Sequence, residues 1–173
     1  METIKKISLI IFLSHLLFSI DIKIDYNIKM FGIKTADLSV SYSDTILNNI
    51  SAIKIYFNTT TSFLTSKIFF VDNQYTTIID KKNFRLLYFK KESKQPNVIN
   101  SIITYEDNDS LYYRNHPKSI NRSYPNIFSL FYLLQYENID YLKNNDFILE
   151  REGLLYNTNI HYTFDDDNNY YEI

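Results

Sequence analysis

Strict alternation of apolar and polar residues near the start of the chain constrains the fold more than any other sequence feature. Apolar residues occupy every second position of one stretch, with polar residues between them: Ile22, Ile24, Tyr26, Ile28 and Met30. A period of two is typical of a β-strand with one face toward the core and the other toward water. Gly32 follows, and extended character resumes over residues 33–42. The stretch therefore predicts two strands joined by a bend at Gly32.

The same pattern of a strand followed by an Asn or Asp turn recurs along the chain. Only two of the 173 residues are glycine, but Asn and Asp also tolerate the left-handed backbone conformation of tight turns. Phe63 to Ser66 predicts one helical turn, and the polar stretch from Lys90 to Pro96 predicts a solvated loop. Further strands are predicted at residues 50–60, 75–79, 84–90, 98–105, 111–113, 147–149 and 154–164.

One segment departs from the strand pattern. Residues 125–136, Pro-Asn-Ile-Phe-Ser-Leu-Phe-Tyr-Leu-Leu-Gln-Tyr, are apolar almost all round. Pro125 suits the first turn of a helix, and the residue before a proline is disfavoured in helical dihedrals. We therefore predict a buried helix over 125–136, packed on the sheet as a plug or lid. The predicted fold is mainly β: a single strongly curved antiparallel sheet or half-barrel with one buried helix.

The N-terminus has the pattern of a secretion signal. Lys5 and Lys6 precede an almost unbroken apolar run over residues 7–18, which is too short to span a bilayer as a helix. Residues 1–19 are predicted to be the signal peptide and residues 20–173 a single β-rich domain. The alternative is an uncleaved N-terminal anchor. Either way we expect an exported protein, periplasmic in a bacterium, with no transmembrane span in the mature chain.

Charge and composition exclude several classes of function. The formal net charge is -2 and the pI is about 5.9, so there is no basic surplus of the kind that nucleic-acid binding requires. The absence of cysteine excludes a disulfide frame, a thiol nucleophile and cysteine-ligated zinc. Two glycines build neither a Gly-x-Ser-x-Gly elbow nor a phosphate-binding loop.

Candidate metal ligands are scattered along the sequence. His116 lies in a polar loop and His161 in a strand, without the spacing of a metal site. The acidic runs at residues 106–109 and 165–167 lack the glycine and glutamate of a calcium-binding EF-hand loop, so we interpret them as solvated turns. We expect no metal, no cofactor and no catalytic residue, and we predict that the protein is not an enzyme.

The chain resembles the DUF3108 family of exported bacterial proteins, whose function is uncharacterised. The likeness is carried by Tyr26 to Val40, Val71 to Asp80 and Pro125 to Leu133, and it runs in register from about Ile22 to Phe164. Where the family usually has a second small residue after Gly32, this chain has Thr-Ala-Asp. Family members continue for further strands, so the resemblance implies that the last strands are missing here. It also implies a curved sheet similar in outline to periplasmic lipoprotein carriers, which hold acyl chains.

Aromatic and aliphatic residues offer a candidate binding site. A sheet too curved to collapse on itself leaves a cavity beside its helix, and such cavities commonly hold apolar ligands. The alternative is that these side chains simply fill the core. The candidate lining residues are Phe63, Leu64, Phe69, Phe128, Phe131 and Leu134, with Phe70 and Tyr132 beside them.

Three functions follow from these expectations. The first is non-enzymatic binding of an apolar or lipid-like ligand, or of an envelope component. The second is an envelope module for protein–protein interaction or assembly, which an exposed apolar patch or a long unpaired edge strand would favour. The third is a hydrolase of envelope polymers, which requires two acids, or an acid and a histidine, converging in one cleft.

Overall fold

An open antiparallel sheet of eight strands forms the largest element of the part that the structure describes. The structure, a computed structural model, describes residues 21–114, 117, 119–136, 147–158, 161–164 and 169–172. Strand order in the sheet equals chain order, with the first and eighth strands at the two edges. The strands are β1 (Asp21–Met30), β2 (Ile33–Leu47), β3 (Ile50–Thr61), β4 (Asp72–Asp80), β5 (Leu86–Gln95), β6 (Val98–Asp107), β7 (Ser110–Tyr113) and β8 (Ser119–Ile120).

Two helices and two hairpins complete the described residues. The helices are α1 (Phe63–Ser66), a single turn between β3 and β4, and α2 (Ile127–Tyr136), after the large sheet. Strands β9 (Phe147–Arg151) and β10 (Leu154–Thr158) form one hairpin, and β11 (His161–Phe164) and β12 (Asn169–Glu172) form the other. No helix among these residues is long and apolar enough to cross a bilayer. The predicted curved antiparallel sheet with one substantial helix is confirmed.

Left-handed residues at two-residue turns join consecutive strands. Both residues have positive φ in the turns Phe31–Gly32, Asn48–Asn49, Asn108–Asp109 and Glu152–Gly153. A turn of this kind matches the twist of the strands that it joins, and Asn, Asp and Gly adopt it at the least cost. The predicted use of Asn and Asp in place of glycine is therefore confirmed at two of the four turns.

The predicted loop at residues 90–96 is wrong. β5 continues to Gln95, and the chain turns at Pro96–Asn97. The strand forms because β5 is interior, so its backbone is paired with β4 on one side and β6 on the other. Its polar side chains are satisfied locally, for example by the 2.8 Å ion pair between Lys90 and Glu92.

Two other predicted boundaries also moved. The second strand, predicted to end at residue 42, runs on to Leu47, because residues 43–47 continue the ladder with β3. The Asp44 carboxylate is paired with Lys81 at 2.5 Å. The single strand predicted over residues 154–164 corresponds to β10 and β11, and residues 159–160 between them lie outside the described part.

The core lies between one face of the sheet and α2. Alternate residues of the central strands point to this face and meet across the ladder, as Val40 meets Phe57 and Tyr42 meets Ile55. The helix contributes Tyr132 to the same cluster. The buried cluster is Val40, Tyr42, Ile53, Ile55, Ile79, Leu86, Phe89, Leu111 and Tyr132. Burial of this apolar surface is the main force that holds the helix on the sheet.

Candidate functional site

Asn126 fixes the beginning of α2. Its side-chain Oδ1 accepts hydrogen bonds from the backbone N–H and the hydroxyl of Ser129, both at 3.0 Å. This is a helix N-cap, in which a side chain satisfies a backbone donor that the helix itself leaves free. The other side-chain atom, Nδ2, donates to the hydroxyl of Thr77 on β4 at 3.4 Å. One buried side chain therefore both begins the helix and ties it to the sheet.

Phe128 lies at the centre of the contact between helix and sheet. Its ring lies 5.3 Å from that of Phe57, 4.9 Å from that of Tyr75 and 6.0 Å from that of Phe89, measured between centroids. These partners come from three adjacent strands, β3, β4 and β5. Contacts of this kind combine apolar burial with favourable ring–ring electrostatics. Phe128 also lines both of the cavities described next, so it lies between them.

The first cavity, the apolar groove, lies between α2 and strands β1–β3. It has a volume of about 460 Å³. Burial and the neighbouring tyrosines raise the pKa of Tyr42 in its wall to about 12, so this hydroxyl stays neutral. The lining residues are Tyr26, Leu38, Val40, Tyr42, Ile55, Phe57, Phe128, Phe131, Leu134 and Gln135. No lining side chain carries a charge at neutral pH.

The second cavity, the mixed groove, lies between α2, β5 and the β9–β10 hairpin. It has a volume of about 440 Å³ and combines aromatic rings with charged groups. Lys91 Nζ and Glu152 Oε1 form an ion pair at 2.6 Å across it. The lining residues are Tyr75, Phe89, Lys91, Asn126, Ile127, Phe128, Leu149, Glu150, Arg151, Glu152 and Tyr156.

Glu150 is a buried carboxyl group in the wall of the mixed groove, 3% exposed. Burial raises its pKa, while hydrogen bonds from the Gly153 N–H and the Tyr113 hydroxyl act in the opposite direction. Both donors use the same oxygen, Oε1, and the Gly153 contact is 2.9 Å. The Glu150 N–H donates to the Pro125 carbonyl at 2.9 Å, so the residue also connects β9 to the chain just before α2.

The predicted site residues fall into two groups. Phe128, Phe131 and Leu134 lie together on α2 and line the apolar groove. Burial of α2 is one-sided, because Leu130 and Leu133 are buried whereas Phe131 remains exposed toward the groove.

The second group lies in the connection between β3 and β4. Phe63, Leu64 and Phe69 are exposed there, Phe70 lies next to them, and none of the four lines either groove. The opposite wall of the apolar groove comes from β1–β3 instead. Alternation predicted that Tyr26, Ile55 and Phe57 lie on one side of their strands, but none of the strand residues of this wall was predicted to belong to a site.

Other sequence candidates find local partners or lie outside the described residues. Residues 106–109 were predicted to be a solvated turn, but the carboxylates of Glu106 and Asp109 both contact Arg85 Nη1. His116 and residues 165–167 lie outside the part that the structure describes. Within that part, no group of three or more His, Asp or Glu side chains is placed to hold a metal ion.

Comparison with protein families, curated proteins and solved structures found no match. The resemblance to the DUF3108 family therefore stays a prediction, and the function must be argued from the grooves themselves.

Proposed function

We propose that this protein is a non-enzymatic exported protein that binds an apolar or lipid-like ligand in the apolar groove. The observation that carries the proposal is the groove itself: about 460 Å³ of space walled by aromatic and aliphatic side chains of α2 and β1–β3. Small-molecule sites typically measure about 300–1,000 Å³ and are lined mainly by apolar groups. The groove has this size and this character.

Exposed apolar surface in the groove favours the binding of a ligand. Phe131 and Tyr26 both line it and both remain exposed. Each apolar Å² removed from water contributes about 25 cal/mol, so a ligand that covers these rings gains binding free energy without any polar contact. The absence of a charged lining group favours a hydrocarbon chain over a charged metabolite.

Export enters the proposal from the N-terminal sequence. The basic and apolar pattern of residues 1–19 is that of a secretion signal. The resemblance to an exported bacterial family supports the same compartment, so we place the protein in the periplasm or cell envelope. Lipid-like molecules are abundant there, and a carrier or sensor of such molecules needs a groove of this kind.

A hydrolase is a weaker interpretation of the same molecule. Glu150 and Glu152 both line the mixed groove, and a raised pKa such as that of Glu150 is typical of a general acid. However, Oε1 of Glu150 already accepts two hydrogen bonds, and Glu152 is paired with Lys91. These contacts favour a structural role for both acids.

A specific observation favours the second candidate function, a module for protein–protein interaction. β1 is an edge strand of ten residues, and within the described residues it pairs only with β2. A free edge of this length is a template for pairing with a strand of another protein. Charges at Lys23 and Asp25 on β1, 3.1 Å apart, blunt the edge, so we rank this function second.

Native mass spectrometry on the exported chain purified from a bacterial periplasm tests the proposal. We expect a noncovalent adduct of lipid mass that disappears on extraction with organic solvent, and renewed binding when oleate is added. Phe131→Glu places a charge in the groove and should weaken oleate binding at least tenfold. Ile46→Glu adds the same charge at an exposed position outside both grooves and should leave binding unchanged.

Two outcomes would contradict the proposal. One is a chain that arrives without adduct and binds no oleate. The other is equal binding by Phe131→Glu and the unmodified chain. In either case, crosslinking in the periplasm should be used to look for a protein on β1.

A further inference from the structure

Three chain reversals lie at one end of the large sheet. Cross-strand pairing aligns Asn27 with Asp37, Asp37 with Thr60, Thr60 with Asp72, and Asp72 with Lys94. Beyond this row of paired residues, the chain turns from β1 to β2, from β3 to β4 and from β5 to β6. The three reversals are therefore neighbours in space, although they are far apart in sequence.

Hydrogen bonds join the first two of these reversals. The Ser62 N–H donates to the Thr35 carbonyl, and the Ser62 hydroxyl donates to the Lys34 carbonyl, both at 2.9 Å. The β1–β2 turn and the connection that contains α1 therefore form one surface. Large apolar side chains cover it and are exposed to solvent, among them Phe31 at 94% and Ile68 at 90%. We call this surface the apolar rim: Met30, Phe31, Ile33, Phe63, Leu64 and Ile68.

The opposite end of the sheet has a different chemistry. Its two tight turns are Asn48–Asn49 and Asn108–Asp109, which are polar. Water-exposed turns are ordinarily built from such residues, as at this end. Apolar turn residues such as Phe31 are the exception, and a concentrated group of them marks an interaction surface for a protein or a membrane.

Charge divides the two ends in the same sense. Lysines outnumber acids around the apolar rim. The lysines are Lys29, Lys34, Lys67 and Lys94, and the acids are Asp37 and Asp72. Acids outnumber cations at the opposite end. The acids are Asp44, Asp80, Glu106, Asp107 and Asp109, and the cations are Lys81, Lys82 and Arg85. The protein thus has a basic, apolar end and an acidic, polar end, although its net charge is only -2.

We propose that the apolar rim docks on a lipid bilayer that carries anionic headgroups. Aromatic and aliphatic tips enter the boundary between headgroups and acyl chains, while nearby lysines remain at headgroup level and attract anionic lipid. Lys67 lies over the ring of Phe63 with its Nζ 4.7 Å from the ring centroid, which joins a cation and an apolar ring in one unit. The acidic end then points away from the membrane.

This inference goes beyond the proposed function, because docking of the rim does not require a ligand in the apolar groove. It would, however, bring the protein to the phase in which lipid-like ligands are found. If the rim did not dock, ligand binding in the apolar groove would be unaffected. If the groove bound no ligand, docking of the rim would be unaffected.

The absence of tryptophan from the chain makes a direct test possible. Phe31→Trp places the chain's single tryptophan on the rim, and Ile46→Trp places it at an exposed position at the opposite end, so that its emission can be excited apart from that of the tyrosines. The probe is a vesicle of phosphatidylcholine with phosphatidylglycerol, compared with phosphatidylcholine alone. With the anionic vesicles, we expect Phe31→Trp emission to shift to the blue and to be quenched by brominated lipid, and Ile46→Trp emission to stay unchanged.

Charge variants test the electrostatic half of the proposal. Lys29→Glu combined with Lys67→Glu should reduce partition into anionic vesicles at least about tenfold, since each surface lysine contributes to the attraction. Lys82→Glu at the opposite end is the control and should have little effect. All variants are exposed, so far-UV circular dichroism should match that of the unmodified chain.

Three results would overturn the proposal. The first is no change in Phe31→Trp emission with either vesicle. The second is an equal change for Phe31→Trp and Ile46→Trp, which would indicate non-specific adsorption. The third is sedimentation showing that rim variants abolish self-association while vesicle binding is absent, because the occupant of the rim would then be a second copy of the chain.

Discussion

The carboxylate of Glu150 on β9 accepts a hydrogen bond from the hydroxyl of Tyr113 on β7, and both side chains are buried. The same oxygen accepts the N–H of Gly153, so one carboxylate joins the large sheet to the β9–β10 turn. Burial raises the pKa of Tyr113, and the hydrogen bond and charge of Glu150 raise it further. The hairpin that closes the mixed groove therefore depends on one titratable group.

This arrangement predicts a pH dependence of stability. The pKa of Glu150 is raised in the folded state above its ordinary value of 4.5, so the folded state holds the proton more tightly than the unfolded state. The stabilisation is fully present below pH 4.5 and is lost as pH rises through the folded-state pKa. We expect the stability of Glu150→Gln not to fall in this pH range through residue 150, because the glutamine side chain does not titrate.

Urea denaturation from about pH 4 to about pH 8 measures the effect. The difference in free energy of unfolding between Glu150→Gln and the unmodified chain should move in favour of the variant as pH rises. Asp107→Asn is the control, because Asp107 is exposed at the end of β6 and does not line the mixed groove. Parallel pH profiles for all three chains would contradict the prediction.

Loss of the Asn126 cap should destabilise the protein. Asn126→Ala removes the acceptor for the Ser129 N–H and the donor to Thr77. N-cap substitutions cost about 0.5–2 kcal/mol, and we expect the upper part of that range because the site is buried. Chemical denaturation measures it, with Asn121→Ala at an exposed bend as the control. A cost equal to that of the control would refute the role of the cap.

Truncation of Phe128 should be more costly than truncation of its neighbour on the groove side. Phe128→Ala removes a ring that contacts Phe57, Tyr75 and Phe89, and we expect a loss of about 3 kcal/mol. Phe131→Ala removes an exposed ring and should cost less than about 1 kcal/mol. Equal losses in urea denaturation would mean that Phe128 does not anchor the helix.

A β-branched side chain in the turn between β2 and β3 should destabilise the protein. Asn49 has a φ of 63°, which Asn tolerates and a β-branched residue does not. Asn49→Val should therefore lower the free energy of unfolding by about 1–3 kcal/mol, whereas Asn49→Gly should be nearly neutral or stabilising. Thermal denaturation of the pair checks this, and a stable Asn49→Val variant would show that the turn rearranges.

Local patterns in the sequence predict most of the fold. Alternation identified β1, and the apolar run after Pro125 identified α2, because both depend on near neighbours in the chain. The predicted helix start was wrong by two residues, since α2 begins at Ile127 with Asn126 as its cap. The end of β5 did not follow, since Lys91 and Ser93 belong to a strand only through pairing with β4 and β6. Hydrogen bonds between strands are not visible in the composition of one of them.

The candidate site, too, could be predicted from the sequence only in part. Phe131 and Leu134 could be identified because they belong to an apolar segment that was predicted to pack as a helix on the sheet. Phe63 and Leu64 shared that apolar character but lie in a connection at the end of the sheet. The role of Glu150 depends on Tyr113, 37 residues earlier in the chain, and no sequence spacing indicates that contact.

Strand order equal to chain order also has a kinetic consequence. Every ladder of the large sheet closes between consecutive strands, so pairing can advance hairpin by hairpin as the chain emerges N-terminus first. The helix comes after all eight strands and must return to residues as distant as Tyr42. Until α2 packs on it, the apolar face of any sheet that has already formed is exposed to water.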